Sequence, residues 1–194
     1  MSSPDFSVER HPLEPFIPEN ARLLLLGSFP PPRKRWSMDF FYPNFINDMW
    51  RIMGLIFQGD RQFFVDGKRF RQDAIENFLT QRGIGVYDTA RAVRRLQGNA
   101  SDKYLEIAEP TDVPALLRQH PTLAAVAATG EKAAFTLAEM FGTAVPRTGE
   151  CVQTDCSGRP TAFFRMPSTS RAYPLSLDKK AETYRRMFET LGLL

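Results

Sequence analysis

Few side chains of this 194-residue chain suit chemistry, and they are unevenly placed. The histidines are His11 and His120, each followed by proline, a context that holds the preceding residue extended or in a turn. A Ser/His/Asp relay would have to recruit one of them, which disfavours hydrolysis through an activated serine. Cys151 and Cys156 are too few on their own for a zinc or iron–sulfur site, so no bound metal or cofactor is expected. Positive charge, by contrast, is clustered: Arg33-Lys34-Arg35, Arg91 with Arg94-Arg95, and Lys179-Lys180 with Arg185-Arg186. Such clusters are either solvated faces or contacts for an anionic partner, according to whether the fold gathers them on one side. The net charge of +3 and pI near 9.0 agree with an anionic partner without requiring one.

These residues need elements to hold them, and hydrophobic periodicity supplies the outline. Leu23-Leu24-Leu25-Leu26 reads as a buried strand over Arg22 to Leu26, broken at once by Gly27-Ser28-Phe29-Pro30-Pro31-Pro32. Phe45, Met49, Ile52, Met53 and Ile56 recur at helical spacing and predict a helix over 44–57, on which Trp50 reads as core. A second helix is expected over Arg71 to Gln81. Gly83 to Asp88 then reads as a short strand, with Thr89 opening a helical run. A helix at Asp112 to Arg118, a strand at Leu123 to Ala128, and a helix at Glu131 to Phe141 follow. Val152 to Thr154 and Thr161 to Met166 read as a hairpin around Cys156-Ser157-Gly158-Arg159. Ala181, Tyr184, Phe188 and Leu191 form the apolar stripe of a last helix.

Strands alternating with helices predict a mainly parallel sheet covered on both faces. One domain over 21–194 is expected, with residues 1–20, which contain four prolines, as an extended arm lying over it. No apolar run approaches the roughly 20 residues of a membrane span, and the polar start lacks a secretory h-region. A soluble, cytoplasmic monomer is the expectation. In such folds ligands sit beyond the carboxyl ends of the strands. That rule selects Gly27 to Trp36, Asp88 onward, Ala128-Thr129-Gly130 and Pro167-Ser168-Thr169-Ser170.

Together these segments resemble the uracil-DNA glycosylase superfamily, and within it the branch containing the hypoxanthine-DNA glycosylases. The matching pieces are Gly27-Ser28-Phe29-Pro30, Phe41-Tyr42 with Asn47-Asp48-Met49-Trp50, Gly83 to Asp88, Gly130-Glu131-Lys132-Ala133, and Met166 to Ser170. The similarity spans about Leu23 to Leu191. It implies a three-layer α/β/α sandwich that extrudes a deaminated base, uracil or hypoxanthine, from DNA and hydrolyses its N-glycosidic bond without a metal. Such a reaction needs a pocket for the flipped base, a positioned water, and stabilisation of the departing base anion.

The resemblance assigns roles residue by residue. Ser28 and Phe29 stand where relatives often carry a polar or acidic group that orients water, and the acid is absent here. The hypoxanthine branch shares that departure and points instead to Asn47, which by its own residue type reads as a helix N-cap or an exposed polar residue. Catalysis is thus expected of Asn47 and Ser28. Gly27, Phe29, Phe41, Tyr42, Asp88 and Thr129 are expected to line the base pocket, although Phe41 equally suits core packing and Asp88 an N-cap. Thr129 replaces the asparagine that reads the base edge in many relatives, and a hydroxyl cannot form that amide pair. Arg33, Lys34 and Arg35 are either phosphate contacts or a solvated loop. Ser168, Thr169 and Ser170 are expected at the DNA backbone, and Arg171 or Tyr173 as a wedge in the duplex; otherwise they cap the last helix. The expected partner is DNA containing a damaged or mismatched base. A catalytically silent nucleic-acid-binding module of the same fold is the alternative, and a small-nucleotide hydrolase a third reading.

Overall fold

A computed structural model describes residues 7–97, 102–156 and 158–194. The centre of the molecule is a five-stranded sheet in the order β5 (Ile84–Asp88), β2 (Leu23–Gly27), β8 (Ala125–Ala128), β10 (Pro160–Arg165), β9 (Cys151–Asp155). β5, β2, β8 and β10 run parallel, and β9 pairs antiparallel at the edge. Every residue of β2, β5 and β8 is buried, as strands covered on both faces must be. The α/β class with a mainly parallel sheet, expected from the alternation of strands and helices, is thus the observed one.

Five α-helices are present among the described residues: α1 (Met49–Gln58), α2 (Gln72–Arg82), α3 (Val113–Gln119), α4 (Glu131–Phe141) and α5 (Leu177–Thr190). α1 and α5 pack on each other, α2 packs on β5 and α4 on β8. The hydrophobic stripe anticipated at the end of the chain is real, with Ala181, Tyr184 and Phe188 buried. Ser176 caps that helix by accepting from the Lys179 N–H, and Asp112 caps α3 through Ala115 N–H. No helix among the described residues is long and apolar enough to cross a membrane.

Two expectations need correction. The helix expected over 44–57 begins at Met49, because Asn44 bridges to Trp36 and the Asn47 N–H closes a turn onto Asn44 O at 2.8 Å. Asn and Asp compete for backbone groups and favour such a helix entry over its interior. The helical run expected after Thr89 is instead β6 (Ala90–Arg95), the middle of an antiparallel sheet with β1 (Val8–Arg10) and β7 (Leu105–Pro110). Its partners lie far away in sequence, so local spacing does not reveal them. A small hairpin, β3 (Val65–Asp66) with β4 (Arg69–Phe70), also went unanticipated. Past β1 the arm continues along the sheet, where Phe16 and Val86 exchange backbone hydrogen bonds and cover the free edge of β5.

Candidate functional site

The strand ends converge on a cavity of about 630 Å³. β2 delivers Gly27, Ser28 and Phe29, β5 delivers Asp88, and β8 delivers Thr129. The loop before α1 adds Phe41, Tyr42 and Asn47. The loop after β10 closes the rim with Ser168 to Tyr173. All four segments selected by the strand-end rule therefore meet in one place.

Gly27 and Asp88 are register partners at the ends of β2 and β5. The absent side chain of Gly27 makes room for the carboxyl, since a Cβ there would fall 2.3 Å from Asp88 Oδ1 and 3.4 Å from the Tyr42 hydroxyl. The other carboxylate oxygen, Oδ2, lies 2.9 Å from His11 Nε2, a residue of the N-terminal arm whose side chain is 2% exposed. His11 Nδ1 sits 2.9 Å from Leu13 O and 3.1 Å from Leu13 N. The His11 ring packs edge-on against Phe29, with centroids 5.2 Å apart, and also meets Tyr87 and Phe41.

Tyr42 holds a left-handed backbone, φ 50°, which a side-chain-bearing residue adopts at a cost of order 1–3 kcal/mol. Its hydroxyl lies 2.7 Å from Thr129 Oγ1, which in turn lies 3.3 Å from Leu26 O. Burial, and then the charge of Asp88, raise the phenol far above its ordinary value, so Tyr42 keeps its proton.

Ser28 Oγ donates to Asp102 Oδ1 at 2.7 Å, and Asp102 also lines the cavity. Its carboxyl is held above the ordinary aspartate value by desolvation, with the Ser28 hydrogen bond opposing and the Asp88 charge adding to the rise. Asn47 is half-buried at the cavity wall, where its Oδ1 accepts the Met49 N–H at 2.9 Å. The N-cap of α1 is Asp48, so Asn47 is neither the cap nor the exposed residue that its type suggested; it stands one position before the cap, accepts the Met49 N–H and lines the cavity.

Of the basic trio, Arg35 reaches the cavity, while Arg33 pairs with Asp39 at 2.5 Å and stacks on Trp36. Lys34 is exposed. In the rim loop Ser168 Oγ accepts from Ser170 N, and Ser170 Oγ accepts from Ala172 N, both at 3.2 Å. Thr169 is buried, and its carbonyl accepts the Asp48 N–H. Arg171 binds Asp48 Oδ1 through Nε at 3.2 Å, and Tyr173 stays half-buried at the rim. Trp50 is core, with its indole N–H donating to Phe41 O.

His11, Asp48, Asp102 and Lys180 have no place at this site in the sequence reading, although His11 is weighed there as a relay histidine, Asp48 stands within a matching piece and Lys180 within a basic cluster. His11 is 77 positions from its partner, and nothing local marks it beyond the extended backbone that proline imposes. Asp48 and Lys180 look like ordinary surface charges until the fold buries them against each other.

The chain is similar to a protein of Methanosarcina acetivorans whose solution NMR structure is described as a "putative Uracil DNA glycosylase". The TM-score is 0.62 at 22% identity, over 94% of this chain and 99% of that one. This similarity bears out the uracil-DNA-glycosylase-like α/β fold. No protein-family model matches the chain, and no curated protein matches its sequence.

Proposed function

We propose that the chain is a monofunctional DNA glycosylase of the uracil-DNA glycosylase superfamily, resembling its hypoxanthine branch. It flips uracil or hypoxanthine into the cavity and hydrolyses the N-glycosidic bond. The observation that carries this reading is the convergence of Gly27-Ser28-Phe29, Tyr42, Asn47, Asp88 and Thr129 on one cavity rimmed by the Ser168 to Tyr173 loop. A flipped base needs an aromatic wall and a few polar groups at its edge, and Phe29, Tyr42, Asp88 and Thr129 supply both.

In the reaction the C1′–N bond breaks with its electron pair on the base. Water adds to C1′ and gives up a proton. Asn47 and Ser28 place that water, and the Asp102 carboxylate, hydrogen-bonded by Ser28, is the group able to take its proton. Among the described residues lining the cavity none is a lysine, so the proposed reaction includes no Schiff base to the sugar and stops at the abasic site. Arg35, Ser168 and Ser170 contact the backbone of the DNA, and Arg171 or Tyr173 fills the vacated stack.

One observation favours the second reading, a silent DNA-binding module: Asn47 Oδ1 already accepts the Met49 N–H. Single-turnover assays of the native chain and Asn47→Ala on uracil and hypoxanthine duplexes, with binding measured alongside, separate the two. Abasic sites that vanish in Asn47→Ala while binding persists support the enzyme. Binding without cleavage by the native chain supports the silent module, and affinity indifferent to salt removes DNA altogether.

A further inference from the structure

We infer that Ile46, in the turn before α1, packs against the base next to the flipped nucleotide and gives the protein a second hold on the opened duplex. This rests on the glycosylase reading and adds to it a contact from an element other than the Ser168 to Tyr173 loop.

Ile46 is 52% exposed. Of the large apolar side chains exposed among the described residues, the others being Val8, Leu96, Phe135 and Leu194, it is the one that lines the cavity. Its neighbours hold the turn in place. The Ile46 N–H donates to Asn44 Oδ1 at 3.3 Å, and the Asn47 N–H donates to Asn44 O at 2.8 Å. The buried Arg51 ties the turn from within, where its Nη1 donates to Phe45 O at 2.7 Å and to Asn47 O at 3.1 Å. The same guanidinium stacks on the Phe45 ring, 4.6 Å from its centroid, and Phe45 packs on Phe70. The residues on each side of Ile46 are thus drawn inward, while its own side chain stays at the cavity mouth. A turn fixed in this way presents the side chain without the ordering cost that a mobile loop would meet on binding.

The occupant follows from what the cavity takes. One isoleucine is far too little apolar area for a protein interface, which needs on the order of 1,000 Å². At the mouth of a cavity that holds a flipped base, the nearest apolar surfaces are the faces of the bases left behind, about 3.4 Å above and below the vacated position. Apolar side chains serve at such opened steps because they replace the lost stacking. The surrounding charge suits the same occupant, since Arg35 and Arg171 line the cavity with Ile46 and the exposed Lys34 adjoins Arg35. Asp48 joins the turn to the rim loop: its N–H donates to Thr169 O, and its Oδ1 accepts from Arg171 Nε. The two segments therefore form one wall, to which Ile46 adds an apolar side chain beside the cations.

The test uses the full chain with Ile46→Ser and Ile46→Leu, after thermal unfolding has shown the fold intact, as a substitution at so exposed a position should leave it. Single-turnover cleavage is compared between duplex and single-stranded oligonucleotides carrying the same uracil or hypoxanthine. Affinity is compared between a duplex holding a tetrahydrofuran abasic analogue and the intact duplex, and 2-aminopurine beside the analogue reports stacking through its fluorescence. Ile46→Ser should lower the duplex-to-single-strand cleavage ratio and the preference for the tetrahydrofuran duplex by about tenfold each, the worth of burying an aliphatic side chain. It should also abolish the change in 2-aminopurine fluorescence on binding, whereas Ile46→Leu should keep all three near the native values. Ile46→Ser indistinguishable from the native chain would overturn the inference and leave the glycosylase reading standing. An equal loss on duplex and single strand would also overturn it, because Ile46 would then act on the pocket and not on the stack. Preference for the tetrahydrofuran duplex that Ile46→Ser loses, in a chain that cleaves no lesion, would support the inference and overturn the glycosylase reading. A native chain without that preference would overturn the inference whatever the cleavage result.

Discussion

Lys180 Nζ lies 3.0 Å from Asp48 Oδ2, with the two side chains 1% and 7% exposed. The same ammonium donates to Ser170 O at 2.8 Å, and Arg171 holds the other oxygen of Asp48. Asp48 stands at the entry of α1, next to Asn47, and its N–H donates to Thr169 O. One buried pair therefore latches the segment carrying Asn47 to the rim loop and to α5.

Removing the cation leaves a buried carboxylate with Arg171 hydrogen-bonded to it and the charge of Arg51 nearby. Lys180→Met should cost about 3–5 kcal/mol in urea denaturation. A loss below about 1 kcal/mol would mean the pair is solvated in practice.

Gly27→Ala places a methyl group where Asp88 Oδ1 now sits. The carboxyl or the strand end must shift, at about 1–3 kcal/mol of stability. Cleavage should fall far more than stability does, since the displaced carboxyl lies at the cavity. Thermal unfolding with a parallel cleavage assay checks both.

Thr129→Val keeps the shape and deletes the hydroxyl that meets Tyr42. The phenol loses its partner at a left-handed residue, so about 1–3 kcal/mol should be lost. Tyr42→Phe in the same background should then add little, because the shared bond is already gone.

The pH dependence follows from Asp102. Its folded value lies above 3.8, so the folded chain binds this proton more tightly than the unfolded one. Stability associated with Asp102 is therefore present below the ordinary value and declines as pH rises through the raised one. Activity that needs the ionised carboxylate rises over the same window. Ser28→Ala removes a hydrogen bond to the ionised form and should move the acid limb of the cleavage profile upward. Asp88→Asn removes a neighbouring charge and should move it downward. A limb unmoved by either change would exclude Asp102 as the titrating base.

Much of this arrangement is legible in the sequence where chemistry is local. Leu23 to Leu26 announces a strand, Glu131 to Phe141 announces a helix, and the break at Gly27 marks the sheet edge. The strand-end rule then places Asp88, Thr129 and Ser168 around one cavity. What the sequence conceals depends on pairing over distance. β6 alternates too briefly to declare itself without β1 and β7, and His11 acquires meaning only when the arm lays it against Asp88. Asp102 likewise becomes a site residue through Ser28, 74 positions away. The absence of an acid in the Gly27-Ser28-Phe29-Pro30 segment is real, yet the fold returns two carboxylates to the same cavity from elsewhere.

The decisive measurement is single-turnover release of uracil and hypoxanthine by the native chain from duplexes with each base opposite the lesion. A glycosylase at this cavity gives abasic sites for at least one lesion and none for the matching cytosine or adenine duplex. Tight, salt-sensitive binding with no abasic sites for any pairing would contradict it.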